Sequence, residues 1–267
     1  MSTLKTNAIR HISASSDAIT LASDGTATAK ITNKSNYNYA YNGAFQVAQR
    51  ATTFNNTGTG ERNGYRCVDR WEQGARSDAA WTYSQESDGP SGFANSFKAL
   101  CTTADAAIAA NVMEYIQQGF EGQDLQSWCK GTSDAKEITI SFWVKSNKAG
   151  TYIVTLDGRD NSRICCKSYT VPGNTNWNKF SVTFPADTTG AFGDDNAESL
   201  RLKFWYGAGS DKSSGTLATT WASDVGANQA VGQVNLGDTV NNYWQITGIQ
   251  IELGDTASDY YERSYGD

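Results

Sequence analysis

The sequence has very little histidine and proline: its 267 residues include one His and three Pro. The histidine, His11, lies in the polar N-terminal stretch, so the rest of the chain offers none for a zinc site or a Ser-His-Asp triad. No GxGxxG, P-loop or HExxH pattern occurs. We therefore expect no catalytic residues, no metal and no cofactor, and a protein that is not an enzyme.

Long apolar runs and an excess of positive charge are also missing. No apolar run approaches the roughly 20 residues that a membrane helix needs, so we expect no membrane insertion. The 22 Lys and Arg stand against 28 Asp and Glu, a net charge of −6, which argues against nucleic-acid binding. The N-terminus, MSTLKTNAIRHIS, lacks the apolar core of a secretory signal, which predicts synthesis and folding in a cytoplasm.

The five cysteines are an odd number, and no CxxC pattern occurs among them. Cys165 and Cys166 are adjacent, so on a strand they would point to opposite faces and could not easily pair with each other. We interpret the cysteines as buried, reduced thiols that act as small apolar side chains.

Aromatic and β-forming residues are plentiful: 12% of the chain is aromatic, with 8 Trp and 13 Tyr. In KEITISFWVKS (136–146) apolar and polar residues alternate with the period of two that is typical of a strand. The same period appears in 151–156, 178–184 and 200–206, and weaker patterns predict strands at 43–50, 65–73, 95–101 and 111–120. In YWQITGIQIEL (243–253) the apolar phase slips by one residue at Thr247-Gly248, which predicts a β-bulge. Together these patterns predict an all-β fold, an antiparallel β-sandwich of the jelly-roll type.

Residues 1–33 differ from the rest because they contain no Phe, Trp or Tyr. Short apolar groups recur there, and Asp24-Gly25 is a good hairpin turn. So slim a β-segment cannot bury a core by itself. We therefore expect residues 1–33 to be a stalk or anchor that packs against copies of itself or docks onto another protein, with a sandwich head at 34–267. A frayed terminus is the alternative.

The run NYNYAYNG (36–43) places three tyrosines on one face of an extended segment. We interpret it as the junction between stalk and head, with its rings packed across a subunit boundary. The candidate residues for oligomerisation and attachment are therefore Ile9, Ile12, Ile19, Leu21, Tyr37, Tyr39 and Tyr41.

Four blocks of the sequence resemble the tail-fibre-like proteins of marine tailed bacteriophages, including those that infect cyanobacteria. The opening, MSTLKTNAIRHISASSDAITLASDGTATAKITN, resembles the common N-terminus of that family. NGAFQVAQR with YRCVDRW resembles a second stretch of the family, although Phe45 stands where its motif has Met. YIQQGFEGQDLQSW with KEITISFWVKSNKAGTY resembles its middle strands, and ITGIQIELGDTASDYYERSYGD resembles its ending.

The resemblance implies a non-enzymatic virion component that is assembled in the host cytoplasm. It implies a homotrimeric tail fibre or spike, attached through its N-terminus to other virion proteins. Its jelly-roll head would be similar in style to carbohydrate-binding modules and would recognise a glycan of the host surface. Two alternatives stay open: a protein that decorates the capsid or neck and has no host ligand, and a glycan-degrading depolymerase.

A sugar-binding surface needs aromatic faces for pyranose rings and polar side chains for hydroxyl groups. Trp143 and Trp205 are candidates because they lie out of phase with the inward apolar residues of their strands. Trp128 and Trp221 are candidates because they lie in loop-like stretches. For each tryptophan the alternative is burial in the core or against another subunit.

Glu121 and Asp124, in FEGQD, have the residue types of a glycosidase acid–base pair. Two carboxylates three residues apart are common in turns, so a turn or capping role is the favoured interpretation. The sequence therefore singles out no pair of residues for a depolymerase.

Overall fold

The computed structural model describes residues 6–29, 37–57 and 62–263. The chain divides into two compact units, Met1–Asn36 and Tyr37–Asp267. The predicted domain boundary, between residues 33 and 34, lies outside the described residues. No helix in the described ranges is long and apolar enough to cross a membrane.

The N-terminal unit is a small antiparallel sheet of β1 (Ala8–Ile9), β2 (Ile19–Leu21) and β3 (Ala27–Ala29). The hairpin predicted at Asp24-Gly25 joins β2 to β3. Asp24 Oδ1 accepts hydrogen bonds from the backbone N–H and the hydroxyl of Thr26, which fixes the turn. Ile12 is 96% exposed and Ile9 is 51% exposed, so this unit presents apolar side chains on its surface.

The C-terminal unit is a sandwich of two six-stranded antiparallel sheets, which confirms the predicted all-β fold. The first, the β8 sheet, contains β5 (Glu72–Arg76), β8 (Met113–Glu121), β10 (Gly150–Gly158), β11 (Arg163–Val171), β13 (Glu198–Ala208) and β14 (Ala222–Ser223) in the order β14-β11-β10-β13-β8-β5. The second, the β9 sheet, contains β4 (Thr53–Asn56), β6 (Ala80–Glu86), β7 (Ser96–Thr103), β9 (Ile138–Ser146), β12 (Asn178–Phe184) and β15 (Tyr243–Leu253) in the order β12-β9-β15-β7-β6-β4. Short helical turns occur at Ser210–Ser213, Gly122–Trp128, Gly226–Asn228 and Leu236–Asp238.

Aromatic side chains from both sheets fill the core between them. Phe142 of β9 and Phe204 of β13 face each other with ring centroids 5.0 Å apart and an interplanar angle of 76°, which is a favourable edge-to-face arrangement. Both rings are fully buried, and each contributes about 2–3 kcal/mol of hydrophobic stabilisation. The inward alternation predicted for these two strands is thus confirmed.

The predicted β-bulge is present in β15. The pairing of β15 with β9 shifts register between Thr247 and Gln250. Gly248, inside the bulge, has a φ of 65°, which glycine adopts without strain. Trp244 before the bulge and Ile251 after it are both fully buried, so the extra residue restores the inward face.

The strand predicted at 43–50 is wrong. Asn42 and Phe45 have φ values of 51° and 53°, so the chain turns there through the left-handed region instead of extending. The strand predicted at 65–73 joins the sheet only from Glu72 onward, as part of β5. The strands predicted at 95–101 and 111–120 are confirmed as β7 and β8.

All five cysteines are free thiols, and four of them are buried; Cys129 is half-buried. Burial raises the pKa of Cys67 to about 12, so this thiol stays protonated near neutral pH. The interpretation of buried, reduced cysteines is confirmed for those four.

Candidate functional site

A surface groove of about 420 Å³ lies beside the C-terminal end of β8. Its volume falls within the range of small-ligand sites. Two tyrosines and mostly polar or charged residues line it: Tyr41, Gln49, Arg50, Tyr65, Asp69, Arg70, Gln118, Gly119, Glu121 and Asp124. We call this set the groove. All of its residues belong to the C-terminal unit.

The side chain of Asn42 fixes one wall of the groove. Its Nδ2 donates to the backbone oxygens of Val47 and Asp69, both at 2.9 Å, and its Oδ1 accepts from the Val47 N–H at 3.0 Å. Asparagine tolerates the left-handed backbone that it adopts here. One amide therefore holds the irregular segment 42–47 against Asp69 and so directs Gln49 and Arg50 toward the groove.

Gln118 and Gly119 form the floor of the groove. Gln118 is 2% exposed. Its side chain accepts a hydrogen bond from the N–H of Tyr41 and donates one to the oxygen of Tyr41, both at 2.8 Å. A Cβ at position 119 would lie 2.3 Å from Oε2 of Glu198, so any residue larger than glycine would displace that carboxylate.

Tyr41 is a fixed part of the wall. The guanidinium carbon of Arg263 lies 3.8 Å from its ring centroid, and that of Arg70 lies 5.1 Å away. Its hydroxyl donates to Oδ2 of Asp124 at 2.8 Å. Burial and this hydrogen bond raise the pKa of Tyr41, whereas Arg263 opposes the rise. The ring is thus engaged by the protein's own side chains.

Tyr65 is the tyrosine of the groove that a ligand can reach. It is 44% exposed. The guanidinium carbon of Arg50 lies 5.6 Å from its ring centroid, and Arg50 Nη1 donates to the Tyr65 backbone oxygen at 3.0 Å. The apolar face of a sugar ring could stack on a tyrosine placed in this way, while nearby polar groups bind its hydroxyls.

The three carboxylates of the groove accept hydrogen bonds from the chain itself. Besides the bond from Tyr41 to Asp124, Gln123 Nε2 donates to Glu121 Oε2 at 2.7 Å, and the backbone N–H of Gln49 donates to Asp69 Oδ1 at 3.0 Å. Glu121 and Asp124, which the sequence places in a turn, thus lie in the groove together. The sequence reasoning did not select Tyr65, Arg50 or Arg70.

Trp205 is fully buried, so the prediction that it contacts a glycan at the surface is wrong. Its Nε1 donates to the hydroxyl of Thr155 at 3.0 Å, and its ring packs against Tyr115 with centroids 5.3 Å apart. Ala230 belongs to the same buried cluster, and Leu217 packs against it. The connection between β13 and β15 therefore covers the outer face of the β8 sheet where the strand pattern suggested exposure.

The other three candidate tryptophans also lie outside the groove. Trp128 is 2% exposed, between Tyr39 and Phe192, and is likewise overturned as a ligand contact. Trp221 is half-buried and donates from Nε1 to the backbone oxygen of Pro185 at 2.9 Å. Trp143 is also half-buried, on the outer face of the β9 sheet beside the bulge at Gly248.

The tyrosine run packs on its own domain. Tyr39 is 6% exposed, and its hydroxyl shares a hydrogen bond of 2.5 Å with Ser127 Oγ. Tyr37 is 52% exposed, and its ring centroid lies 4.8 Å from that of Tyr39 in an edge-to-face arrangement. The predicted role of Tyr39 at a subunit boundary is therefore wrong, because its ring is part of the core of its own chain. Among the N-terminal candidates, Leu21 is 39% exposed and Ile19 is half-buried.

Three of the four blocks that carry the sequence resemblance meet at the groove. NGAFQVAQR with YRCVDRW supplies Arg50, Tyr65 and Arg70, and YIQQGFEGQD supplies the floor. The final block supplies Arg263, which covers Tyr41. That convergence is the signal by which sequence reasoning could have found the site.

No protein-family model matches the sequence, and no curated protein matches it. Among solved structures, the enzymatically active domain of tailspike protein 4 from bacteriophage CBA120 is similar, with 12% identity and a TM-score of 0.40 over 81% of this chain; the chain covers 21% of that domain's length. The family 11 carbohydrate-binding module of Clostridium thermocellum, solved with a mixed-linked tetrasaccharide, has 13% identity and a TM-score of 0.38 over 76% of this chain and 99% of its own. The C-terminal family 22 module of Clostridium thermocellum Xyn10B has 13% identity and a TM-score of 0.37 over 71% of this chain and 90% of its own. All three identities are below 15%, and all three TM-scores are below 0.5.

Proposed function

We propose that the protein is a bacteriophage virion component, a homotrimeric tail fibre or spike that recognises a glycan of the host surface in the groove. The observation that carries the proposal is the groove itself. It combines the exposed ring of Tyr65 with side chains that donate hydrogen bonds, such as Arg50, and side chains that accept them, such as Glu121. The sequence resemblance to tail-fibre-like proteins supports the place of this activity in a virion.

The groove suits a sugar because a sugar has both an apolar ring face and polar hydroxyl groups. A pyranose ring has an apolar face that stacks on an aromatic ring, and its hydroxyl groups both donate and accept hydrogen bonds. Gln118 and Tyr41 are held by hydrogen bonds within the protein, so the floor and one wall are ordered before a ligand arrives. A single such groove binds weakly, and three copies on one fibre would raise the overall avidity.

The attachment role is proposed for the N-terminal unit. Its strands are two or three residues long, and Ile9, Ile12 and Leu21 are exposed on it. Apolar side chains on a sheet of this size gain most by packing against other chains. We assign this unit to trimerisation and to anchoring on other virion proteins.

The test of glycan recognition is the variant Tyr65→Ala. We expect it to lower the affinity for purified host envelope polysaccharide about tenfold, the size of a lost aromatic stacking contact. Tyr243→Ala is the matched control, because Tyr243 also lies beneath a cation, Lys98 at 5.2 Å, but on the β9 sheet. Unchanged binding of Tyr65→Ala, measured by calorimetry, would remove the groove as the glycan site.

The test of attachment is the oligomeric state of the full chain. Light scattering at micromolar concentration should give a trimer for the native sequence and a smaller species for Ile12→Asp. Val240→Asp is the matched control, because Val240 is 47% exposed but belongs to the C-terminal unit. A monomeric native chain would contradict the trimer.

Glycan hydrolysis is a second candidate function, favoured by one observation: Glu121 and Asp124 lie in the same groove. Two carboxylates that flank a glycosidic bond are the usual machinery of glycosidases. Release of reducing ends from a bound polysaccharide, abolished in Asp124→Asn, would establish this function. Binding without release would leave recognition as the activity of the groove.

A further inference from the structure

We propose that the groove selects polysaccharides that carry carboxylate groups at intervals along a hydroxyl-rich chain, and that Arg50 and Arg70 bind the carboxylate. The inference rests on the proposed glycan-binding function and specifies the class of glycan.

Arg50 and Arg70 are cations without an anionic partner in the described part of the chain. The ion pairs found there involve other residues, such as Arg163 with Asp187 and Lys203 with Asp157. Both arginines are exposed at the groove. Their N–H groups are therefore accessible to an anion supplied from outside.

Each of the two guanidinium groups is held against an aromatic ring. Arg50 lies 5.6 Å from the ring centroid of Tyr65, and Arg70 lies 5.1 Å from that of Tyr41. Cation–π contact orients the planar guanidinium and leaves donors at its edge. A carboxylate can accept two parallel hydrogen bonds from such an edge, a geometry that a sugar hydroxyl cannot match.

The backbone of Arg70 is a second, independent observation. Its φ is 70°, a left-handed conformation in which glycine or asparagine is expected. The fold uses the backbone oxygen of Arg70 as an acceptor for Gln118 Nε2, a bond that any residue could make. Residues held in this conformation concentrate at binding sites. The Arg70 side chain thus extends from a strained backbone position, and its contact with the Tyr41 ring lies at the groove.

The carboxylates of the groove limit the charge density of the ligand. Asp69, Glu121 and Asp124 line the same groove, and the whole chain has a net charge of −6. A densely sulfated or phosphorylated chain would be repelled by these groups. A hydroxyl-rich chain can instead donate to the carboxylates while its own spaced carboxylates accept from the arginines.

The test uses the full chain and three uronate polysaccharides: hyaluronate, alginate and polygalacturonate. Each is compared by calorimetry with its own carboxyl-reduced neutral form, and dextran sulfate serves as the densely charged probe. We expect at least one uronate polymer to bind about tenfold more tightly than its reduced form, and dextran sulfate to bind weakly. Equal or tighter binding of the reduced forms would overturn this inference and leave glycan recognition standing. Failure of all native and reduced forms to bind would overturn both.

Variants of single arginines test which residues produce the preference for the carboxylated polymer. Arg70→Gly should abolish the preference for the carboxylated polymer while the thermal unfolding midpoint changes little, because the relaxed left-handed backbone offsets the lost contact with Tyr41. Arg50→Gln should reduce the preference as well. Arg76→Gln, outside the groove, should leave the preference within twofold. A preference that survives both groove variants, or strong binding of dextran sulfate that they do not alter, would overturn the assignment.

Discussion

The guanidinium carbon of Arg263 lies 3.8 Å from the ring centroid of Tyr41 and 5.0 Å from that of Tyr37. Tyr41 in turn donates to Asp124 and exchanges two backbone hydrogen bonds with the side chain of Gln118. Arg263 therefore stabilises the position of Tyr41, and Tyr41 contacts both a wall and the floor of the groove.

We expect Arg263→Met to lower the free energy of unfolding by about 1 kcal/mol, because the variant keeps the packing of the stem but loses the cation–π contact. It should also weaken the proposed glycan binding, because Tyr41 loses the nearer of its two arginine contacts. Urea denaturation and calorimetry measure the two effects. Arg10→Met, in the N-terminal unit, is the control. Native stability and native affinity in Arg263→Met would show that the contact has no structural role.

Glu114 gives the sandwich a pH-dependent stability. It is 1% exposed, and its Oε1 accepts from Ser77 Oγ at 2.5 Å and from Trp81 Nε1 at 2.9 Å. Its Oε2 is buried without a hydrogen-bond partner in the described structure. Burial and, to a smaller extent, Asp105 raise the pKa of Glu114 to about 7, against the two hydrogen bonds and Arg62, which act in the opposite direction.

The folded state thus holds this proton more tightly than the unfolded state does. The stabilisation is complete below the unfolded pKa, near 4.5, and is lost as pH rises through about 7. We expect the native protein to lose roughly 3 kcal/mol relative to Glu114→Gln between pH 4.5 and 8. Urea denaturation across this range measures the difference. Glu137→Gln, at an exposed position, should keep the native pH profile; a native profile in Glu114→Gln would contradict the assignment.

Gly43 allows the groove wall to approach the bulge in β15. A Cβ at this position would lie 2.2 Å from the backbone oxygen of Ile249, which cannot move aside as a side chain could. We expect Gly43→Ala to destabilise the protein by about 3 kcal/mol or more, because the clash also strains the hydrogen bond from Ile249 N–H to Gly43 O.

Gly92→Ala is the matched control for Gly43→Ala. Position 92 has a φ of 94° and no atom within 4 Å of an added Cβ, so only the backbone strain of about 1 kcal/mol applies. Thermal unfolding of the two variants compares the clash with the strain. Equal shifts in the two variants would mean that the Ile249 backbone yields.

Much of the sandwich could be predicted because the alternation of apolar and polar residues is visible within each strand's own sequence. The alternation in 136–146 and the phase slip at Thr247-Gly248 depend on residues next to one another, and both were confirmed. The positions of Trp205 and Tyr39 could not be predicted in this way. Trp205 is covered by a connection that follows its own strand, and that connection has no periodic pattern.

The groove escaped prediction for a related physical reason. Arg50, Tyr65 and Arg70 lie in irregular segments whose direction is set by left-handed residues and by the Asn42 side chain. Period-two patterns say nothing about such segments, and the pattern at 43–50 even predicted a strand. The sequence favoured tryptophans because of their size, whereas the more exposed aromatic ring of the groove is that of Tyr65.

Tyr41 is the first residue of the groove to be synthesised, and Arg263, which lies over its ring, is synthesised after every residue that lines the groove. A growing chain that has passed residue 124 has made every lining side chain, yet β13, β15 and the Arg263 contact on Tyr41 are still missing. The contact that Arg263 makes with Tyr41 therefore forms only after residue 263 has been synthesised. A translation product interrupted earlier would carry the N-terminal strands and the lining residues of the groove without the contact between Arg263 and Tyr41.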